Sequence, residues 1–190
     1  MESIFLSSYI WFADAFLIQL IEYNKVSLRF VADLIDKLIT DWEKEGLDID
    51  VRPMGVIGRI IRLGRIYESH AAIILKPYDL KYTEFDVLAT LRRTGKPYQL
   101  NPKLLIESVL ITSGAMTACL DRLEKRQLIK RVQDPNDRRG TLIVLTEKGV
   151  KLVEQAVEDR FEQAKSELKC LNIKEQNELT KLLAKLSQAR

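Results

Sequence analysis

Two groups of side chains in the middle of the chain have types and spacing suited to acting on another molecule. The first is the turn Asp134-Pro-Asn-Asp-Arg-Arg-Gly140, which sets Asp137, Arg138 and Arg139 at the tip of a predicted hairpin. A guanidinium so placed can enter a DNA minor groove, drawn by its negative potential. The second group is Thr112, Ser113 and Thr117, with Arg122 and Lys125 further along one predicted helix. Small hydroxyl residues in a first turn allow close approach, and their oxygens can reach phosphates or base edges. An ordinary amphipathic helix would look the same, so the helix alone decides nothing. Helix and hairpin together point to DNA binding. Asp137 either pairs with Arg139 and holds the turn, leaving Arg138 free, or the two arginines exchange roles.

The enzymatic alternatives find little support. A single histidine, His70, has nothing around it that resembles a catalytic triad, and there is no phosphate-binding glycine loop or nucleophile elbow. Two distant cysteines, Cys119 and Cys170, make neither a disulfide framework nor a zinc site. A reducing, cytoplasmic location is expected, with no catalytic residue, metal or cofactor. The formal net charge of +3 is too small to argue for a nucleic-acid partner, but its distribution is informative. Residues 1–51 carry 4 basic and 10 acidic side chains, whereas residues 52–111 carry 10 and 5, and residues 112–139 carry 7 and 4. Positive charge therefore gathers where the helix and hairpin lie.

The elements that must position these groups read mostly as helices. Residues 4–23 are the most apolar stretch, but Asp14 and Gln19 interrupt it, so a packed or interfacial helix is expected rather than a membrane span. Val26, Phe30, Val31, Leu34, Leu38 and Trp42 mark a helix ending near Lys44. Another starts at Pro53 and ends before Pro77, with Arg59, Arg62 and Arg65 on its polar face, either solvated or near DNA phosphates. Thr83 is expected to cap the next helix, with Asp86 at the N3 place, and Arg92, Arg93, Gly95 and Pro97 stop it. Asn101-Pro102 opens a short helix, and Thr112 caps the one that follows, whose core side is Met116, Leu120 and Leu123.

Strands are expected at Leu128–Gln133 and Gly140–Leu145, then a long helix capped by Thr146 and a last one opened by Asn172 with Glu175. The fold class is mainly α with a small β-hairpin wing. Its parts are an N-terminal helical region (1–76), a winged helix-turn-helix domain (77–146) and C-terminal helices (147–190). More apolar stripe lies at the two chain ends than one small domain can cover, which points to an intertwined homodimer. Such a dimer would set two recognition helices about one DNA turn apart.

From about Trp42 onward the chain resembles the MarR family of winged-helix regulators. The likeness is densest in Glu84–Arg93, Thr112–Thr117, Leu120–Glu124, Asp134–Arg139 and Leu145-Thr-Glu-Lys-Gly149. It implies a homodimer that binds a pseudo-palindromic operator on double-stranded DNA, usually as a repressor released by a small aromatic or anionic effector. Within the family the sequence is most similar to the urate-responsive branch, through Asp41-Trp42 and an aspartate at Asp86. That likeness makes Trp42 and Asp86 ligand-binding candidates. The alternatives stay open: Trp42 as a core or interface aromatic, and Asp86 as a helix cap.

Three departures stand out. Ala118-Cys119 replaces the Asn-Arg of that branch, which counts against urate, and Gln127 stands where glycine is usual. The third is the loss of a polar side chain at Ala118, which would weaken or redirect base readout; Cys119 itself reads as packing rather than as a redox sensor. A different class of function, a partner-binding or membrane-associated adaptor on a winged-helix scaffold, is the alternative reading, motivated by Ala118 and the apolar N-terminal stretch.

Overall fold

The structure, a computed structural model, describes residues 34–109 and 112–189; the side chain of Arg138 is not among those described. The expectations for residues 4–23, for Val26, Phe30 and Val31, and for the turn at 110–111 fall outside the described residues. Contacts divide the chain into two units, Met1–Ile66 and Tyr67–Arg190.

In the first unit, helix α1 occupies residues 34–44. Helix α2 (Arg52–Leu75) begins here and ends in the second unit. Its start is held by Asp50, whose Oδ1 accepts the Arg52 backbone N–H at 3.1 Å, and Pro53 is the second helical residue. Arg59, read from sequence as part of a basic face, is instead tied within the chain. Its guanidinium donates to Asp36 on α1 and to the Gly55 carbonyl. Leu34, Leu38, Val56, Ile57 and Ile61 remain exposed on this unit.

The second unit contains the rest of the fold. A short 3-10 turn (Lys76–Tyr78) follows α2, then α3 (Tyr82–Arg93), β1 (Gln99–Leu100), α4 (Pro102–Val109) and α5 (Ser113–Lys125). Strands β2 (Ile129–Asp134) and β3 (Asp137–Leu145) form the hairpin, and α6 (Glu147–Glu167) and α7 (Ile173–Gln188) complete the chain. One core joins Leu75, Val87, Leu88 and Leu91 to Leu105, Met116, Leu120 and Leu123, and on to Leu128, Ile143 and Val153. The side read from sequence as the core face of α5 is buried as expected.

Several caps are where local chemistry places them. Asn101 Oδ1 accepts the Leu104 N–H at 2.9 Å, Thr146 Oγ1 accepts Gly149 N–H at 3.0 Å, and Asn172 and Glu175 exchange reciprocal bonds. Each pair is three residues apart, so chain geometry alone brings it together.

Three expectations are corrected. Helix α3 is not capped by Thr83, which lies inside it. Its first turn is closed by Glu84, whose Oε2 accepts the Lys81 backbone N–H at 3.0 Å, so Asp86 is beyond the N3 position. Second, the sheet has three strands in the order β1-β3-β2, with Gln99 opposite Val144 and Leu100 opposite Ile143. Two residues after a proline carry no periodicity, so β1 exists only because β3 offers it an edge.

The third correction is at the hairpin, where the turn is tighter than the Asp134–Gly140 loop read from sequence. Asp134 pairs directly with Asp137 around Pro135-Asn136, and a bulge follows at Gln133/Asp134. Gly140 sits at that bulge, where a Cβ would come within 3.0 Å of Asp134 Cβ and 3.2 Å of the Asp137 carbonyl oxygen. A side chain there would press on both ends of the turn, so the bulge favours glycine.

Helix α7 has no buried residue, and its apolar side chains Ile173, Leu179, Leu182, Leu183 and Leu186 are all exposed. Among the described residues no single helix is long and apolar enough to cross a membrane.

Candidate nucleic-acid interface

Helix α5 begins at a well-formed cap. Thr112 adopts extended backbone, and its Oγ1 accepts the Ala115 N–H at 3.3 Å. Ser113 and Thr117 lie one turn apart on the exposed side, and the Thr117 hydroxyl donates to the Ser113 carbonyl at 3.1 Å. Between them Gly114 has open space around it, because an added Cβ would meet nothing within 4 Å. Packing within this chain does not require glycine there. The absence of a side chain leaves the first turn able to lie close against another surface, a feature that the sequence contained but helical periodicity could not single out. The first backbone N–H groups of the helix point along its axis towards the N-terminus and favour an anion there.

The far end of α5 has a different character. Arg122 Nε donates to Glu84 Oε1 at 2.7 Å, and that carboxylate is nearly inaccessible. Arg122 thus pins the recognition helix to α3. Lys125 is the last residue of a 13-residue helix, about 18 Å along the axis from Ser113. The structure does not bring these two cations together with Thr112, Ser113 and Thr117.

Acidic side chains on α5 would repel a polyanion, and they are tied up and partly offset by a residue that sequence reasoning missed. Arg131 on β2 donates from Nη2 to Asp121 Oδ1 at 2.6 Å and from Nη1 to Glu124 Oε2, while its backbone N–H reaches Glu124 Oε1 at 3.0 Å. One guanidinium offsets one of the two charges and fastens the wing to the helix.

At the wing tip, Asp137 holds the turn through a hydrogen bond to backbone. Its Oδ1 accepts the Arg139 backbone N–H at 2.9 Å, and Asp134 Oδ1 accepts the Asn136 N–H at 2.8 Å. The Arg139 side chain is exposed, and Arg138 lies beside it in β3.

The helix passes into β2 through Gln127, whose backbone is left-handed (φ 60°). Gln127 N–H bonds to the Glu124 carbonyl at 2.8 Å and Leu128 N–H to the Leu123 carbonyl at 3.0 Å, with Leu123 and Leu128 both buried. This is a Schellman ending, in which glycine is the usual C′ residue. Gln127→Gly is expected to raise stability by about 0.5–1 kcal/mol, the relief of left-handed strain less the added freedom of the unfolded chain. A thermal melt at fixed protomer concentration checks it, and a lower melting temperature would contradict it.

Cys119 is buried (1% exposed), and burial with the nearby Glu84 carboxylate pushes its thiol up to about 11. The neutral thiol is the stable form in the fold, so alkylation at pH 8 should spare Cys119 in native protein and modify it after denaturation. Modification of native Cys119 at the denatured rate would reject the buried assignment.

The two ligand candidates lie in separate units. Trp42 lines a cavity of about 340 Å3 with Leu38, Ile49 and Met54, and among the described residues the charged side chain on its wall is Asp50. Asp86 is half-buried on α3, where burial raises its carboxyl above the usual range and the Arg93 charge opposes that rise.

Known proteins share this arrangement. The sequence profile of the MarR family matches residues 80–141. The chain is 32% identical over 154 residues to the HTH-type transcriptional regulator PecS of Dickeya dadantii (strain 3937), covering 81% of this chain and 93% of that protein. Among solved structures, a MarR variant from E. coli complexed with operator DNA superposes with a TM-score of 0.63 at 28% identity, covering 73% of this chain and 99% of that one. NadR in complex with 4-hydroxyphenylacetate gives 0.58 at 26% identity, with 70% and 92% covered.

Proposed function

The chain belongs to the MarR family of transcriptional regulators, and from that premise we propose that it is a homodimeric repressor that binds a pseudo-palindromic operator. The observation that carries the reading is the pairing of an open, capped α5 N-terminus with a wing fastened to the same helix by Arg131. In this reading Thr112, Ser113 and Thr117 face the major groove, and Arg138 and Arg139 reach the minor groove beside it. Arg122 sets the pose of the helix through Glu84 rather than touching DNA. The exposed leucine row of α7 supports the dimer, since a protomer alone leaves Leu179, Leu182, Leu183 and Leu186 in water. Each would gain on the order of 1–2 kcal/mol when covered.

Fluorescence anisotropy tests the DNA reading. Affinity for an operator-like palindrome from the adjacent intergenic DNA should exceed that for a shuffled duplex by at least about 10³-fold at the same salt. Equal affinities would end the claim of sequence-specific regulation.

For the effector, we place the chain beside the urate-responsive branch, with a ligand other than urate. The arginine of that branch is replaced by Cys119, a buried neutral thiol. The Trp42 cavity is apolar and its charged wall residue is acidic, so an uncharged phenol suits it better than an anion. Simple phenols should raise the melting temperature and release DNA, and Trp42→Ala should remove both effects. Equal stabilisation of that variant would place the ligand elsewhere.

A further inference from the structure

Behind the recognition helix, away from its capped N-terminus, lies a second cleft of about 460 Å3 whose chemistry the DNA reading does not use. Its walls come from three segments: the end of α2 with the 3-10 turn, the entry to α3, and the last turn of α5. Lys76, Lys81, Arg122, Lys125 and Arg126 face carboxylates from Asp79 and Glu84, which leaves a net charge of +3.

The five cations are not equally committed. Arg122 is bound to Glu84. Arg126 donates to the Tyr78 carbonyl at 2.9 Å and to the Asp79 carbonyl, which fixes the loop between α2 and α3. The ammonium groups of Lys76, Lys81 and Lys125 have no carboxylate within ion-pairing distance among the described residues. Three lysines without a carboxylate partner thus line a concave wall whose two arginines are already engaged, a geometry that repels a further cation and suits a ligand with several negative oxygens.

We infer that this cleft binds a small polyanion of the phosphate-ester class, at a site separate from both the DNA face and the Trp42 cavity. A monoanion would leave charge uncompensated, whereas a group with three or more negative charges would match the cleft. Lys76 and Lys81 precede and enter α3, while Lys125 and Arg122 belong to α5. An anion bridging them would clamp the C-terminal turn of the recognition helix to the α2–α3 junction and bias the pose of its other end. The site is therefore placed to change DNA affinity without occupying the DNA surface.

The test uses the full chain and inorganic tripolyphosphate as probe, followed by calorimetry at a fixed, moderate chloride concentration. Saturable binding near one equivalent per protomer is expected, weakened at least tenfold by Lys76→Gln combined with Lys81→Gln. That variant should keep the wild-type melting temperature and, without polyphosphate, the wild-type affinity for DNA. Absence of saturable binding, or unchanged binding by the variant, overturns the inference. A fall in DNA affinity and in its salt slope for the variant without polyphosphate would also overturn it, because the lysines would then be ordinary phosphate contacts of the DNA surface.

Discussion

Gly149→Ala is expected to destabilise the protein by about 3 kcal/mol, at the upper end of the cost of overpacking. An alanine Cβ at this position would sit 2.0 Å from the Leu128 carbonyl oxygen and 3.1 Å from Leu145 Cδ2. The first of these is backbone, and it cannot retreat cheaply. Leu128 O already accepts the Thr146 backbone N–H at 3.1 Å and the Thr146 hydroxyl at 3.2 Å. Relief would require the α6 N-terminus to move away from the helix-to-strand junction, breaking the Thr146 cap and opening the core around Leu128 and Val153. A loss of that size lowers the melting temperature by roughly 6–12 °C for a chain of this length. Glu147→Ala, two residues earlier in the same first turn and exposed, is the control and should change stability by less than about 1 kcal/mol. Scanning calorimetry at fixed protomer concentration compares the two. A loss below 1 kcal/mol for Gly149→Ala would mean that the strand end and helix are not in the close contact described.

The double change Arg138→Ala with Arg139→Ala is expected to leave the fold intact and to cut operator affinity on the order of 100-fold near physiological salt. Stability should hold because the turn is built from carboxylate-to-backbone bonds. Asp134 accepts the Asn136 N–H and Asp137 accepts the Arg139 N–H, and both survive truncation of the arginine side chains. Each cation withdrawn from phosphate lowers the slope of log affinity against log salt by about 0.9, so the proposed dimer should show a visibly flatter salt dependence. Loss of affinity with an unchanged slope would assign the arginines to base contacts rather than to phosphate. Unchanged affinity would remove the wing from the interface altogether.

These two predictions depend on different kinds of information. Arg138 and Arg139 were legible as candidate DNA contacts because they stand together in a turn where a fold needs no cation. Gly149 was legible only as part of a short recurring sequence, Leu-Thr-Glu-Lys-Gly149, whose physical reason was hidden. That reason is a carbonyl oxygen 21 positions earlier in the chain, pressed against the glycine by docking of α6. The same contrast separates the caps that were read correctly from the one that was not. Thr112, Thr146, Asn101 and Asn172 bond to groups three residues away, and such bonds follow from local chain geometry. Glu84 closes the first turn of α3 from within while its other oxygen takes the Arg122 guanidinium from 38 residues away, and only the second bond explains why a carboxylate is buried there.

The amino-acid sequence by itself determined the helices, their apolar stripes, the hairpin and the arginine-bearing wing. Each of these rests on interactions between near neighbours in the chain or on a repeating period. Tertiary structure alone decided which cations remain free to act. Arg59, Arg122 and Arg131 are indistinguishable in sequence from a DNA-binding series, yet each is held by carboxylates on another element. Lys125 shares a helix with Ser113 but lies at the opposite end of it, in the cleft with Lys76 and Lys81. The physical reason is that a charge is available or spent according to what docks beside it, and docking is set by the packing of the whole core.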